Sequence, residues 1–238
     1  MTLQKTVLIT GGARRIGATI ATFLHEKGFR VIIHCNQSLD EALILKDKLN
    51  FKRKNSAFII SMNLDAESSA KELITESLNL VDRIDVLVNN ASVFSANDAD
   101  IDAMLLLNVK VPYWLSTWAF SYLKETGGCI VNITDTHASS PLRGYSLYCQ
   151  TKAALLMQTK SLAMEFGPNV RVNAVAPGIT IWPEGKNKLD ENQQEKIISK
   201  TILNRHGDPI FIAKAVYFMI ENNFITGQEI KVDGGRNL

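Results

Sequence analysis

Cysteine is scarce in this chain of 238 residues, which holds only Cys35, Cys129 and Cys149. None sits in a CxxC pair. So sparse and odd a count argues against a disulfide-stapled secreted scaffold and fits a reducing compartment. The three read as inert thiols. Long apolar runs are also missing, and none approaches membrane-spanning length. Met1 to Lys5 leads straight into an apolar strand, without the hydrophobic region or cleavage site of a secretory signal. The expectation is a soluble cytoplasmic protein. Charge of one sign is not concentrated anywhere: 26 Lys and Arg face 24 Asp and Glu, a formal net charge of +2. That balance gives no support for nucleic-acid or membrane-surface binding. No His/Cys/Asp spacing suggests a metal, and there is no repeat, low-complexity segment or linker.

What is present is a regular alternation. Short β-rich runs occur at Val7–Thr10, Arg30–His34, Ala57–Ser61, Asp85–Asn89, Gly128–Ile133, Val170–Val175 and Glu229–Val232. Helical patterns lie between them, ending near Lys27 and covering Leu39–Leu49, Glu67–Leu80, Ile101–Lys124 and Ser146–Phe166. The strands are continuously apolar, as parallel strands covered on both faces are. The alternation predicts an α/β fold: one Rossmann-type doubly wound domain over residues 1–238, with a seven-stranded parallel sheet and helices on both faces. An irregular stretch from Gly178 to about Leu189 is too long for a simple connection. Residues 178–205 are expected to form a substrate loop or lid.

Thr10-Gly11-Gly12-Ala13-Arg14-Arg15-Ile16-Gly17 stands between the first strand and the first helix. Glycines allow a tight turn and close backbone approach, and a helix N-terminus offers free N–H groups to a pyrophosphate. Arg15 occupies a place where a glycine is common. Arg14 is positioned to reach a cofactor, and Arg15 to face both pyrophosphate and substrate. An NAD site normally has an acid about twenty residues beyond the glycines. Here the second strand ends His34-Cys35-Asn36-Gln37-Ser38, and no acid occurs until Asp40. His34, Asn36, Gln37 and Ser38 are the candidate donors to a 2′-phosphate, and NADPH is the expected cofactor.

Tyr148 and Lys152 are four apart and share a helix face. They read as a proton donor and its electrostatic tuner. A nearby ammonium is expected to lower the tyrosine pKa towards working pH. Carbonyl reduction calls for a hydroxyl beside this pair. Asp135, thirteen positions before Tyr148, only accepts hydrogen bonds while ionised. It would oppose a developing alkoxide but stabilise a nitrogen becoming cationic. Phe94 offers a flat face for a flat heterocycle, and His137 falls between Asp135 and Tyr148.

In order, the glycine turn, Asn89-Asn90-Ala91-Ser92, Asn108, Tyr148-x-x-x-Lys152 and Pro177-Gly178 resemble the short-chain dehydrogenase/reductase family over nearly the whole chain. The resemblance implies cofactor contacts from Gly11, Ile16 and Gly17. Asn63 stands where many members have an aspartate at the adenine, with Leu64 beside it. Asn90 and Ala91 are implied near the adenosine ribose, Asn108 in a proton relay, and Lys152 on the nicotinamide ribose. Pro177, Gly178 and Thr180 would line the nicotinamide side. Most members are homotetramers or dimers, and a homotetramer is expected.

Thr-Gly-x-x-x-Arg-x-Gly, Asp135 and Ser92-x-Phe94 resemble the pteridine reductase branch, bacterial dihydromonapterin reductases above all. There Arg15 would touch cofactor phosphate and pterin, and Phe94 would sandwich the pterin. Ser92, Asp135 and Tyr148 would hold its polar edge. Asp233-Gly234-Gly235-Arg236 is similar to that branch too. The chain departs from it over Thr136–Gly144 and Ile179–Lys188, leaving the substrate's side chain open. A carbonyl or 3-oxoacyl thioester reductase is the rival enzyme reading and calls for a hydroxyl at position 135. A non-catalytic NADPH-binding regulator calls for decay of Asn108, Tyr148 and Lys152.

Overall fold

The computed structural model describes residues 4–182 and 189–238. Seven strands, β1 (Thr6–Ile9), β2 (Arg30–Cys35), β3 (Ala57–Ser61), β4 (Val86–Asn89), β5 (Cys129–Ile133), β6 (Arg171–Pro177) and β7 (Glu229–Val232), form one sheet. Its order is β3-β2-β1-β4-β5-β6-β7 and every pairing is parallel. This is the expected Rossmann-type α/β fold.

Alternation along each strand explains why the strands are apolar throughout. Val7 and Ile9 join one core cluster, whereas Leu8 joins the other. Val31 and Ile33 separate from Ile32 in the same way, and Val86 and Val88 from Leu87. Period-two side chains thus supply two buried faces at once. One face packs under α1 (Arg15–Glu26), α2 (Leu39–Lys52) and α8 (Pro209–Glu221). The other packs under α3 (Glu67–Leu80), α5 (Val111–Thr126) and α6 (Ser146–Phe166).

The helix expected over 101–124 is three pieces. A short α4 (Ile101–Leu105) passes through a π-helical turn at Leu106–Lys110 into α5. Two helices lie where none was expected, α7 (Glu191–Ile198) and α8. The Asp190 carboxylate accepts from Gln193 N at 2.7 Å to cap α7. Asp208 caps α8 by accepting from Ile210 N at 2.8 Å, with Pro209 following. Ile212, Val216, Met219 and Ile220 of α8 are buried, each stabilising the fold by on the order of 2 kcal/mol. Within the lid expected over 178–205, residues 183–188 lie outside the described residues, and α7 occupies much of the remainder.

The strand order reverses direction between β1 and β4. In an open parallel sheet the loops leaving such neighbours part at the strands' carboxyl ends and leave a crevice. Gly11 and Asn90 leave from these two ends, and the site begins there.

Candidate active site

The turn after β1 is built by close approach. A Cβ on Gly17 would stand 2.1 Å from Gly11 O and 2.7 Å from Asn90 Nδ2, so no side chain fits. Asn90 Nδ2 donates to Thr10 O and Gly11 O at 2.9 and 3.0 Å. The Asn90 and Ala91 N–H groups donate to Thr10 Oγ1. Gly11 has φ +60, and Arg15 also lies in the left-handed region at φ +53. A non-glycine residue there is strained by about 1 kcal/mol, which accounts for glycine being common at this place. Its guanidinium donates to the Trp182 carbonyl at 3.3 Å.

His34 lies under this turn. Its Nε2 donates to the Met62 carbonyl at 3.1 Å, so Nδ1 is the acceptor for Gly11 N at 3.4 Å. Burial pulls its pKa down to about 4, keeping the ring neutral. This corrects the expectation for His34: only 3% exposed, it supports the turn and is no donor to a phosphate. The other three candidates, Asn36, Gln37 and Ser38, join Gly11 and Arg14 around a cavity of about 310 Å³. Asn36 donates to Asn63 Oδ1 at 3.1 Å, which places Asn63 beside that rim. Leu64 is buried in the core cluster under α3, α5 and α6. Arg14 pairs with Glu41 at 3.7 Å, an acid one position beyond Asp40.

A larger cleft of about 420 Å³ gathers most of the remaining candidates: Arg15, Ile16, Asn90, Ser92, Phe94, Asp135, Tyr148, Lys152, Pro177, Gly178 and Thr180. Its polar centre is held by a buried ladder. Asn89 donates to Asn132 at 2.8 Å, and Asn132 donates to Thr159 of α6 at 2.9 Å. β4, β5 and α6 are thereby fixed to one another, each bond adding about 1 kcal/mol. Asp135 follows β5, and Tyr148 and Lys152 lie in the first turns of α6. Tyr148 Oη donates to Asp135 Oδ2 at 2.7 Å, while Oδ1 accepts from His137 N at 2.8 Å. Lys152 Nζ donates to the Ile133 carbonyl at 3.0 Å.

The expected tuning of Tyr148 by Lys152 is overturned. Burial, and then the Asp135 charge, raise the phenol well above its usual value of 10. Burial instead pulls Lys152 down to about 8. The tyrosine is held as a phenol at neutral pH with its proton aimed at a carboxylate.

Asn108 sits on the π-helical turn and is buried away from the cleft surface. Its Oδ1 accepts from Ser92 Oγ at 3.0 Å and Val93 N at 2.8 Å, and its amide donates to Thr151 Oγ1 at 3.0 Å. It fixes the loop carrying Ser92 and Phe94 against α6. Phe94 stacks on Tyr145 with ring centres 4.6 Å apart and meets Tyr148 edge-on at 4.8 Å. One face of Phe94 is therefore already covered. Gly178 is demanded by contact: its Cβ would lie 2.5 Å from that of Asp233. Tyr145, Trp182, His137 and Arg236 also line the cleft. Sequence reasoning gave Tyr145, Trp182 and Arg236 no role there. Trp182 lies 167 residues from Arg15, its contact, and no local pattern reveals such a pairing.

The family model described as short chain dehydrogenase matches residues 5–194. The chain belongs to the short-chain dehydrogenase family. It is an oxidoreductase of that type, whose members use NAD(P)H. Among curated relatives, it is 36% identical to the 3-oxoacyl-(acyl-carrier-protein) reductase FabG of Rickettsia prowazekii, covering 97% of this chain and 96% of the relative. The FabG protein of Thermotoga maritima is 31% identical, with 97% of each chain covered. Pteridine reductase 1 of Leishmania tarentolae is also 31% identical, over 97% of this chain and 96% of the relative. Among the described residues, no helix is long and apolar enough to cross a membrane.

Proposed function

We propose that this short-chain dehydrogenase reduces a dihydropterin (dihydromonapterin, dihydrobiopterin or dihydrofolate) to its tetrahydro form with NADPH. The observation that carries the reading is the 2.7 Å hydrogen bond from Tyr148 Oη to Asp135. A carboxylate at the reacting oxygen of a ketone opposes the negative charge that develops there. Beside a ring nitrogen gaining a proton, it is stabilising. Tyr148, kept as a phenol, holds the proton to be given; Asp135 orients it. Arg15 and Phe94 supply a cation and an apolar surface at the same cleft, in keeping with a flat, nitrogen-rich substrate.

NADPH, when bound, supplies the hydride. Residues fit to hold it are present. Gly17 keeps clear the space between Gly11 and α1, where a Cβ would collide. Asn36, Gln37, Ser38 and Arg14 form an uncharged and cationic rim suited to a 2′-phosphate. Glu41 would have to yield Arg14 to that phosphate. Lys152 and Pro177 stand at the nicotinamide end. We also propose that the enzyme works as a homotetramer.

Overall similarity favours a second reading more than the first. The FabG relative of Rickettsia prowazekii, at 36% identity, exceeds the 31% of the pteridine reductase, which supports a 3-oxoacyl thioester reductase. That reading needs a hydroxyl donor beside Tyr148, and the side chain hydrogen-bonded to it is Asp135. NADPH oxidation with dihydropterin, dihydrofolate and an acetoacetyl thioester, run in parallel on the wild type and Asp135→Ser, separates the two. The pterin reading expects dihydropterin turnover that falls about 100-fold or more in the variant. Thioester turnover alone, or undiminished dihydropterin turnover in the variant, overturns it.

A further inference from the structure

Phe94 is 37% exposed, so burial alone does not fix its ring. Its backbone is held on both sides. Asn108 Oδ1 accepts from Val93 N at 2.8 Å, and Asn108 Nδ2 donates to the Val93 carbonyl at 2.9 Å. Ser95 Oγ donates to Asp100 at 2.6 Å. The ring carried by that backbone meets two tyrosines. Tyr145 lies against it almost in parallel, with centres 4.6 Å and planes 10° apart. Tyr148 meets it at 90°, with centres 4.8 Å apart. Tyr145 immediately precedes α6 and Tyr148 lies in its first turn, a spacing that puts both on one face. The backbone of Tyr145 is anchored as well. Its N–H donates to the Leu142 carbonyl at 3.1 Å, and its carbonyl accepts from Cys149 N at 3.0 Å. The start of a long helix thus carries the ring that covers Phe94.

We propose that Tyr145 is a positioning residue that backs Phe94 and holds its ring in the plane on which a flat substrate stacks. This role rests on Phe94 being the substrate surface of the function proposed above. Tyr145 takes one face of Phe94, and the part of the ring left exposed in the cleft is what a substrate ring can meet. A ring standing partly in solvent on a loop is free to swing about its side-chain bonds. Stacking against a ring fixed to a helix removes that freedom before the substrate arrives, so binding need not supply the ordering. Phe94 also touches Tyr148, whose Oη is bonded to Asp135 at 2.7 Å. Whatever stacks on Phe94 therefore lies beside the ring that carries the proton. The role belongs to the aromatic ring of Tyr145 and not to its hydroxyl.

The test is a double-mutant cycle in steady-state kinetics with dihydropterin, on wild type, Tyr145→Leu, Tyr145→Phe, Phe94→Leu and the double leucine variant. Thermal melting confirms that each is folded. The expected result is a KM raised about five- to tenfold in Tyr145→Leu, with kcat little changed and wild-type values restored in Tyr145→Phe. In the Phe94→Leu background, Tyr145→Leu should add nothing, because the ring it backs is gone. An unmoved KM in Tyr145→Leu overturns the proposal. So does an equal loss in Tyr145→Phe, which would put the hydroxyl on the substrate. A full further rise in the Phe94→Leu background also overturns it, because Tyr145 would then act without Phe94. A second measurement needs no substrate. In protein labelled with ¹³C in its phenylalanine rings, the Phe94 signals are assigned by their disappearance in Phe94→Leu. They should move in Tyr145→Leu, which removes the stacked ring, and stay near wild type in Tyr145→Phe. Absence of dihydropterin turnover in the wild type would sink the substrate reading alone, whereas unmoved Phe94 signals in Tyr145→Leu would sink the hold of Tyr145 on Phe94.

Discussion

Lys152 is a cation held almost wholly out of water, at 3% exposure. Burial draws its pKa from 10.5 to about 8, an effect worth roughly 3 kcal/mol. Below about 8 both folded and unfolded chains carry the charge, and the folded one bears the full penalty. Above 10.5 neither does. Lys152→Met should therefore stabilise the protein at pH 7. The Ile133 carbonyl loses its donor, which offsets about 1 kcal/mol, leaving a gain of about 2 kcal/mol while activity disappears. Urea unfolding of both proteins checks this, and the gap should close as pH rises from 8 past 10.5. A variant no more stable than wild type at pH 7 would show that the burial penalty has been relieved elsewhere. A residue proposed to hold the nicotinamide end is thus one that the fold would be more stable without.

Among elements, the turn between β1 and α1 carries the sharpest consequences. Gly17→Ala sets a methyl 2.1 Å from Gly11 O, and the turn must open. A loss of 2 kcal/mol or more together with loss of NADPH binding is expected, read by thermal melting and by NADPH fluorescence. His34 makes the same turn sensitive to acid. Its pKa lies at about 4 against 6.5 when unfolded, so its contribution is whole above 6.5 and lost as pH falls to 4. Protonated Nδ1 can no longer accept from Gly11. NADPH affinity should weaken only as pH falls to about 4, where the folded chain takes up this proton, and His34→Asn, which retains an acceptor without titrating, should flatten the loss. An unchanged acid limb in the variant would clear His34. The turn itself was legible, because glycines between a strand and a helix have few other uses. The role of His34 was not: a histidine ending a strand looks alike whether its ring meets solvent or lies beneath a loop. Here the pairing of β2 with β3 decides, bringing His34 beside Ile60 and its Nε2 to Met62. The strands were legible as short, continuously apolar runs, the mark of parallel strands covered on both faces. The helices after residue 190 went unread although Asp208-Pro209 ahead of an apolar run is a start signal. Arg236 and Trp182 reach the cleft only through long-range contacts that no spacing encodes.

At the scale of the molecule, the buried titratable groups combine into a pH profile of stability. From pH 4 to 6.5, stability rises as the penalty for charging His34 fades. From about 8 it rises again, because the unfolded chain keeps the Lys152 proton that the folded one releases. Three groups act the other way. Burial lifts the Cys129 thiol from 9.0 to about 11, so above 9 the folded chain holds a proton that the unfolded one gives up, and stability falls. Burial raises the Cys35 thiol too, and Tyr148 adds the same sign above 10. Above 9 the two thiols together offset the lysine, and beyond 10.5 every remaining contribution is unfavourable. Stability of the cofactor-free enzyme should therefore rise from 8 and be greatest near pH 9, displaced from neutrality. Denaturation midpoints measured from pH 4 to 11 would show it. In Lys152→Met the rise beginning at 8 should vanish, leaving stability level between 7 and 9, where no other buried group titrates. A wild type that gains no stability between pH 8 and 9 would mean that Lys152 is not desolvated as the geometry requires. The same desolvation sets Tyr148 as a phenol, so this one curve also bears on how the proton at the active site is held.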